Sequence, residues 1–155
     1  MNISNHIGFY EAIRSSTADR KGIENTPSSF IIERMKITAV NIFEPVREHF
    51  GVPIRINSFY RSTKLNKAVG GAPWSQHCRG EAIDIDDSLG RVTNFEMFEF
   101  VKFNLNFDQL IWEFGDSHNP AWLHVSYVSR SKNRNQILKA QSNKVTKRTI
   151  YVPFQ

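Results

Sequence analysis

Ser75-Gln76-His77-Cys78-Arg79-Gly80-Glu81-Ala82-Ile83-Asp84-Ile85-Asp86 carries most of the information in this chain. Its second half, Glu81 to Asp86, sets Ala82, Asp84 and Asp86 against Ile83 and Ile85, the period-two pattern of a strand with an apolar face and a carboxylate face. Its first half places an imidazole, His77, just ahead of the Gly80 turn into that strand. Downstream, Trp122-Leu123-His124-Val125-Ser126-Tyr127 puts a second imidazole inside an otherwise apolar strand, where a polar ring needs a partner. Two imidazoles and a carboxylate form the three-ligand set of a catalytic zinc site, which keeps one position open for water. Spacing does not settle it, because no single helix enforces convergence as in HExxH, and a histidine on an apolar strand is more often a satisfied core residue.

Outward from this stretch, the chain mixes helices and strands. The opening residues, through Ser15-Ser16-Thr17 and Asn25-Thr26-Pro27-Ser28-Ser29, read as a short helix and loop, an arm over residues 1–27 packed on the body. Ile31, Met35, Thr38, Ile42, Val46 and Phe50 recur at helical spacing up to Gly51, and Pro45 predicts a kink or break. Pro53 to Phe59, Gln109 to Phe114, Trp122 to Val128 and Arg148 to Phe154 read as strands, Gly70-Gly71-Ala72-Pro73 as a loop, and Val92 to Asn104 as a helix. With no regular βαβ rhythm, the expected class is α+β: an antiparallel sheet flanked by helices. Gly70-Gly71 lacks the Lys-Ser/Thr pair and following helix of a phosphate loop.

The 155 residues match one ordinary domain, and 40% apolar with 23% charged residues is a globular composition. The net charge of +5 is local: residues 130–150 hold Arg130, Lys132, Arg134, Lys139, Lys144, Lys147 and Arg148 with no acidic residue, and the remainder carries a slight negative excess. The body is therefore not a basic nucleic-acid-binding surface, and no reader motif is present. The lone Cys78 cannot form an internal disulfide and reads as a free buried thiol. No secretory leader or membrane-spanning run is visible, so the expectation is a protein made in the cytoplasm that reaches any outside target by release.

Ser75-x-His77-x-x-Gly80-x-Ala82-x-Asp84-Ile85 with Trp122-x-His124-Val125 resembles the zinc signature of the M15 metallopeptidases, the D-alanyl-D-alanine carboxypeptidase and phage L-alanyl-D-glutamate endopeptidase group, whose fold the hedgehog domain shares. The segments Ser58-Phe59-Tyr60-Arg61-Ser62 and Leu65 to Ala72, the arm motif Ser16-Thr17-Ala18 and the helix end Glu44-Pro45-Val46-Arg47 resemble its phage and prophage lysin subgroup. The resemblance covers about Ser15 to Val128.

This resemblance implies one Zn2+ per chain held by His77, Asp84 and His124, and a peptidase acting on stem peptides of bacterial peptidoglycan. Many members place the general base three residues before the last histidine, and here that residue is Ala121. The expected replacement is Glu113, at the end of the Gln109 to Trp112 strand, with Asp116 and His118 as runners-up and His118 also a candidate for the tetrahedral oxyanion. Arg61 and Ser75 are the expected substrate contacts, and Asp86 an expected partner of a ligand histidine. The competing reading is a non-catalytic zinc-stabilised binding or virion structural domain. A monomer is expected, with the basic 130–150 segment attracting anionic cell-wall polymers.

Overall fold

The alternation in Glu81 to Asp86 forms β2 (Ala82–Asp87), near the centre of the sheet. In the computed structural model, which describes residues 1–87 and 89–155, β2 lies between β1 (Ile54–Ser58) and β4 (Trp122–Ser126). The sheet continues through β3 (Gln109–Glu113), β5 (Gln136–Ser142) and β6 (Thr149–Pro153), in the order β1-β2-β4-β3-β5-β6. Its apolar face presents Ile54, Ile56, Ile83, Ile85, Leu110, Trp112, Leu123 and Val125, all buried in one core. Removing each such side chain from water contributes about 1.5–3 kcal/mol.

Helices supply the other half of that core. Thr93 and Glu96 close a reciprocal capping box that starts α5 (Asn94–Asn104), whose Met97, Phe98 and Val101 are fully buried; the Phe98 ring meets Trp112 edge-on at 5.2 Å. The long helical pattern between Ser28 and Gly51 forms three joined pieces. Helix α3 (Ser29–Thr38) passes through a π-helical turn (Ala39–Phe43) into α4 (Glu44–Phe50). Pro45 has no N–H to continue the ladder, and the break predicted from it takes the form of a π bulge just upstream.

The short helices α1 (Phe9–Ile13) and α2 (Ser16–Lys21) lie in the arm. The arm is sewn to the body by buried polar groups. Glu44 accepts from the His6 backbone N–H at 2.9 Å and faces the His6 ring at 2.6 Å. Asn25 donates to the carbonyls of Ile13 and Tyr60 and accepts from the Ser62 N–H at 2.7 Å, fixing the chain on either side of Arg61.

The α+β class read from the sequence is borne out, and the arrangement is consistent with a hedgehog-like fold. The expected antiparallel sheet needs one amendment: β3 and β5 pair in parallel, while β1–β2, β2–β4, β3–β4 and β5–β6 are antiparallel. Strand β5 itself, inside the basic 130–150 segment, was not expected. Its polar sequence forms a strand because β3 offers an unpaired edge, which the β5 backbone fills. That segment is therefore part of the sheet. Arg134 holds the buried Asp108 with two charge-assisted bonds of 2.9 and 2.7 Å, and the Lys139 ammonium lies 5.9 Å from the Trp112 ring centre.

Gly80 links the helical layer to β2. Its φ of +69° favours glycine, and an added Cβ would lie 2.8 Å from Met35 Cγ and 3.0 Å from the Ile31 carbonyl oxygen. Gly80→Ala is expected to cost about 1–3 kcal/mol in urea unfolding; an unchanged midpoint and slope would show that the turn is not constrained in this way.

Candidate metal centre

The face of the sheet opposite the core carries the polar residues of the alternation. Asp84 on β2 pairs directly with His124 on β4, and His124 pairs with Ile111 on β3, two residues before Glu113. Side chains in register across a sheet share a face. A single antiparallel register therefore places Asp84, His124 and Glu113 on one side.

His77 reaches this group from a 3-10 turn (Gln76–Arg79) that packs on β2. Ser75 caps the turn by accepting from the His77 N–H at 3.3 Å, and Gly80 ends it. The His77 ring is buried, with Nδ1 2.7 Å from the carbonyl oxygen of Phe59. A carbonyl can only accept, so Nδ1 carries the proton and Nε2 is left with a bare lone pair. That Nε2 is buried, makes no hydrogen bond among the described residues, and stands 3.3 Å from Asp84 Oδ1. His124 Nδ1 lies 3.0 Å from the same oxygen.

One ligand atom from each of His77, Asp84 and His124 lies within 4.8 Å of the others. Four-coordinate zinc with bonds of about 2.0–2.1 Å spaces its ligand atoms roughly 3.3 Å apart, so the group needs little adjustment to close on an ion. The orphaned Nε2 is a stronger sign than proximity. A fully buried imidazole nitrogen with no partner is costly unless something occupies that direction, and the carbonyl behind Nδ1 is the usual outer partner of a metal-ligating histidine.

Electrostatics within the cluster agree. Burial disfavours ionisation of Asp84, but the two imidazoles beside it, with His124 Nδ1 hydrogen-bonded to Oδ1, outweigh it and hold the carboxyl well below its ordinary range. Burial also pushes His77 down, against the opposing pull of Asp84, so its ring favours the neutral form that binds metal.

Glu113 behaves differently from Asp84. It is 6% exposed at the end of β3 and, among the described residues, makes neither an ion pair nor a side-chain hydrogen bond. Burial, reinforced by the charge of Asp84 and opposed by His124 and Arg61, raises it to about 7. A carboxyl near neutrality beside a metal-ligand set is suited to moving protons. Ala121, three residues before His124, donates its N–H to the Glu113 carbonyl at 2.9 Å, so Glu113 stands beside that position.

The remaining sequence-derived candidates separate. Arg61 is close enough for its charge to act on His77 and Glu113, its Nε is buried without a partner, and it lines a cleft of about 820 Å³ with Arg14, Arg55, Tyr60 and Asp86. Ser75 uses its hydroxyl on the His77 backbone. Asp86 shares the open face but bonds Asn94 at 2.7 Å and the Asp87 N–H at 2.9 Å; the partner expected of it for a ligand histidine is the Phe59 carbonyl. A backbone acceptor leaves no mark in the sequence. Asp116 and His118 lie in an exposed loop, where Asp116 accepts from the His118 and Asn119 N–H groups, and the His118 side chain is 92% exposed. Cys78 is half-buried, and burial pushes its thiol up, away from the reactive thiolate.

A family model described as peptidase M15 matches residues 5–126, from the arm to the end of β4. No curated protein matches the chain. The matched span contains the orphaned His77, the Asp84–His124 pair and the partnerless Glu113, and the chain belongs to the M15 family of metallopeptidases.

Proposed function

We propose that the chain is a zinc-dependent peptidase hydrolysing stem peptides of bacterial peptidoglycan, an enzyme of the phage or prophage lysin type. The observation that carries the reading is Glu113, a buried carboxyl held near neutrality with no partner of its own, beside three residues suited to zinc. A zinc-stabilised binding domain without catalysis would have no use for such a group. Bound zinc supplies Lewis acidity: it lowers the pKa of water toward about 7 and polarises a carbonyl.

The chain's own residues do the rest. His77 and His124 offer imidazole nitrogens, with His77 oriented by Phe59, and Asp84 contributes the negative charge that retains a dication. Glu113 takes a proton from the attacking water as the new C–O bond forms. It then returns that proton to the leaving amine as the C–N bond breaks, so the carboxylate is regenerated. Arg61 suits a bidentate grip on a substrate carboxylate, and Arg14 and Arg55 extend the cationic character of the cleft beside it. Stem peptides are rich in carboxylates, which supports them as the substrate class.

Among the described residues no helix is long and apolar enough to cross a membrane. Arg130, Lys132, Lys144, Lys147 and Arg148 form no ion pair among the described residues, and these cations would attract anionic wall polymers.

Digestion of purified peptidoglycan by the zinc-loaded chain, read by mass spectrometry, is expected to release peptide or free amine and to stop with chelator. Absence of any cleavage would sink the peptidase reading, and the fragment masses identify the bond cut. Glu113→Gln is expected to lower kcat by about 100-fold or more while zinc content stays at one per chain. It should also abolish the acidic limb of the kcat/KM profile, which in the wild type lies at or below the Glu113 value of about 7 because bound zinc pulls that value down.

The same group links pH to stability. Its folded value of about 7 lies above the ordinary 4.5, so the folded state holds the proton more tightly than the unfolded. The resulting penalty is absent below the unfolded value, grows as pH rises between the two, and is complete above the folded one. Metal-free Glu113→Gln should therefore be more stable than wild type at pH 8, by on the order of 2 kcal/mol, with the gap closing toward pH 4. A gap that does not change with pH would show that burial is not what holds the proton.

Removing everything after Val128 would strip β5 and β6 from the sheet, so the role of the basic segment is better tested on the turn between them. The triple change Lys144→Gln, Lys147→Gln, Arg148→Gln is expected to weaken cosedimentation with cell walls at low salt and leave it unchanged at high salt. Equal binding at low salt would remove that role.

A further inference from the structure

The M15 match ends at residue 126, yet the sheet runs on through β5 and β6, and these strands border the catalytic face. Glu113 is in register with Ala140 on β5, and Ala140 with Tyr151 on β6. The three therefore form one row on the open face, with the smallest side chain in the middle. Neighbouring strands lie about 4.8 Å apart, so the Tyr151 and Glu113 backbones are roughly 10 Å from each other, a gap their two long side chains can close over an alanine. Ala140 is 0% exposed although it lies on the face opposite the core, whereas Tyr151 is 54% exposed. The methyl group is covered while the aromatic ring above the edge still meets solvent. Ile150 and Val152 point to the other face, which leaves Tyr151 facing the site.

The phenol also senses charges well beyond its own strand. Burial, followed by the negative charges of Glu113 and Asp84, pushes it above its ordinary value, while Arg61 opposes them. Asp84 is on β2 and Arg61 follows β1, at the far side of the sheet order from β6. At neutral pH the phenol keeps its proton and is a donor. His118, the sequence candidate for stabilising an oxyanion, is on an exposed loop with its ring turned to solvent.

Resting on the peptidase reading, we propose that the β5–β6 hairpin completes the active site, with Tyr151 donating its phenolic hydrogen bond to the scissile carbonyl oxygen as that oxygen gains negative charge. The electron pair of the carbonyl π bond moves onto this oxygen when water adds. Tyr151 stabilises the charge without transferring its proton, and Glu113 remains the only group that exchanges one. A donor that engages the oxygen more strongly in the transition state than in the substrate acts on kcat more than on KM.

The test compares full-length, zinc-loaded wild type with Tyr151→Phe, which keeps the ring over Ala140 and deletes only the hydroxyl. Two quantities are read: peptide hydrolysis, and calorimetric affinity for a phosphinate peptide whose tetrahedral oxygens mimic the adduct. The expectation is a loss of about 10- to 100-fold in kcat with KM within about twofold, and a similar loss of phosphinate affinity. Zinc content and thermal midpoint should match wild type. Kinetics and phosphinate affinity both within about twofold of wild type would overturn the assignment. A fall in KM-type binding alone, with kcat intact, would also overturn it, since it would make Tyr151 a ground-state contact. Should the wild type bind the phosphinate yet hydrolyse no peptide, the peptidase reading fails, while the affinity ratio still decides the role of Tyr151. A wild type that neither binds nor cleaves overturns both.

Discussion

The pairing of β2 with β4 is the constraint on which the site depends. Asp84 and His124 face each other across one antiparallel register, and that register is enforced from behind by Ile83, Ile85, Leu123 and Val125 in the core. A slip of one residue would turn each of those side chains toward solvent and carry Asp84 into the apolar layer. The hydrophobic effect, which is indifferent to metals, thus fixes the distance between Asp84 and His124. His77 comes from outside the sheet and needs its own fixings: the Gly80 turn, the Ser75 cap and the Phe59 carbonyl behind the ring.

The two carboxylates of this face illustrate how burial is resolved in opposite ways. Asp84 and Glu113 both lose hydration, but Asp84 has two imidazole nitrogens within 3.3 Å, whereas no side chain bonds Glu113 among the described residues and His124 offsets its burial only in part. The first is held in its ionised form. The second is pushed up to about 7. The difference lies in what the register places opposite each residue, because Asp84 faces His124 while Glu113 faces Trp122.

Much of this was legible in the sequence because its signals are periodic or local. The alternation around Asp84, the helical repeat from Ile31 to Phe50, the Gly80 turn and the Pro45 interruption each follow from residue types meeting a backbone requirement. Glu113 is named by the family resemblance, which implies a glutamate at that strand end, and its isolation from partners is a tertiary fact. Less legible were features carried by the backbone or by distant pairing. The Phe59 carbonyl has no side-chain signature, and β5 is a strand because β3 had an open edge, with Gln136, Lys139 and Gln141 giving little hint of it. Asp86 kept its expected place on the open face, but Asn94 and the Asp87 backbone engage its carboxylate.

The parallel pairing of β5 with β3 also bears on what a partly opened molecule would expose. Four of the five residues of β3, Leu110 to Glu113, are buried in the sheet, and β5 covers its outer edge. With the β5–β6 hairpin detached, an apolar strand would present a free row of amides and carbonyls, the arrangement that recruits strands from other chains. The hairpin that fills this edge therefore guards the sheet against self-association as well as extending it.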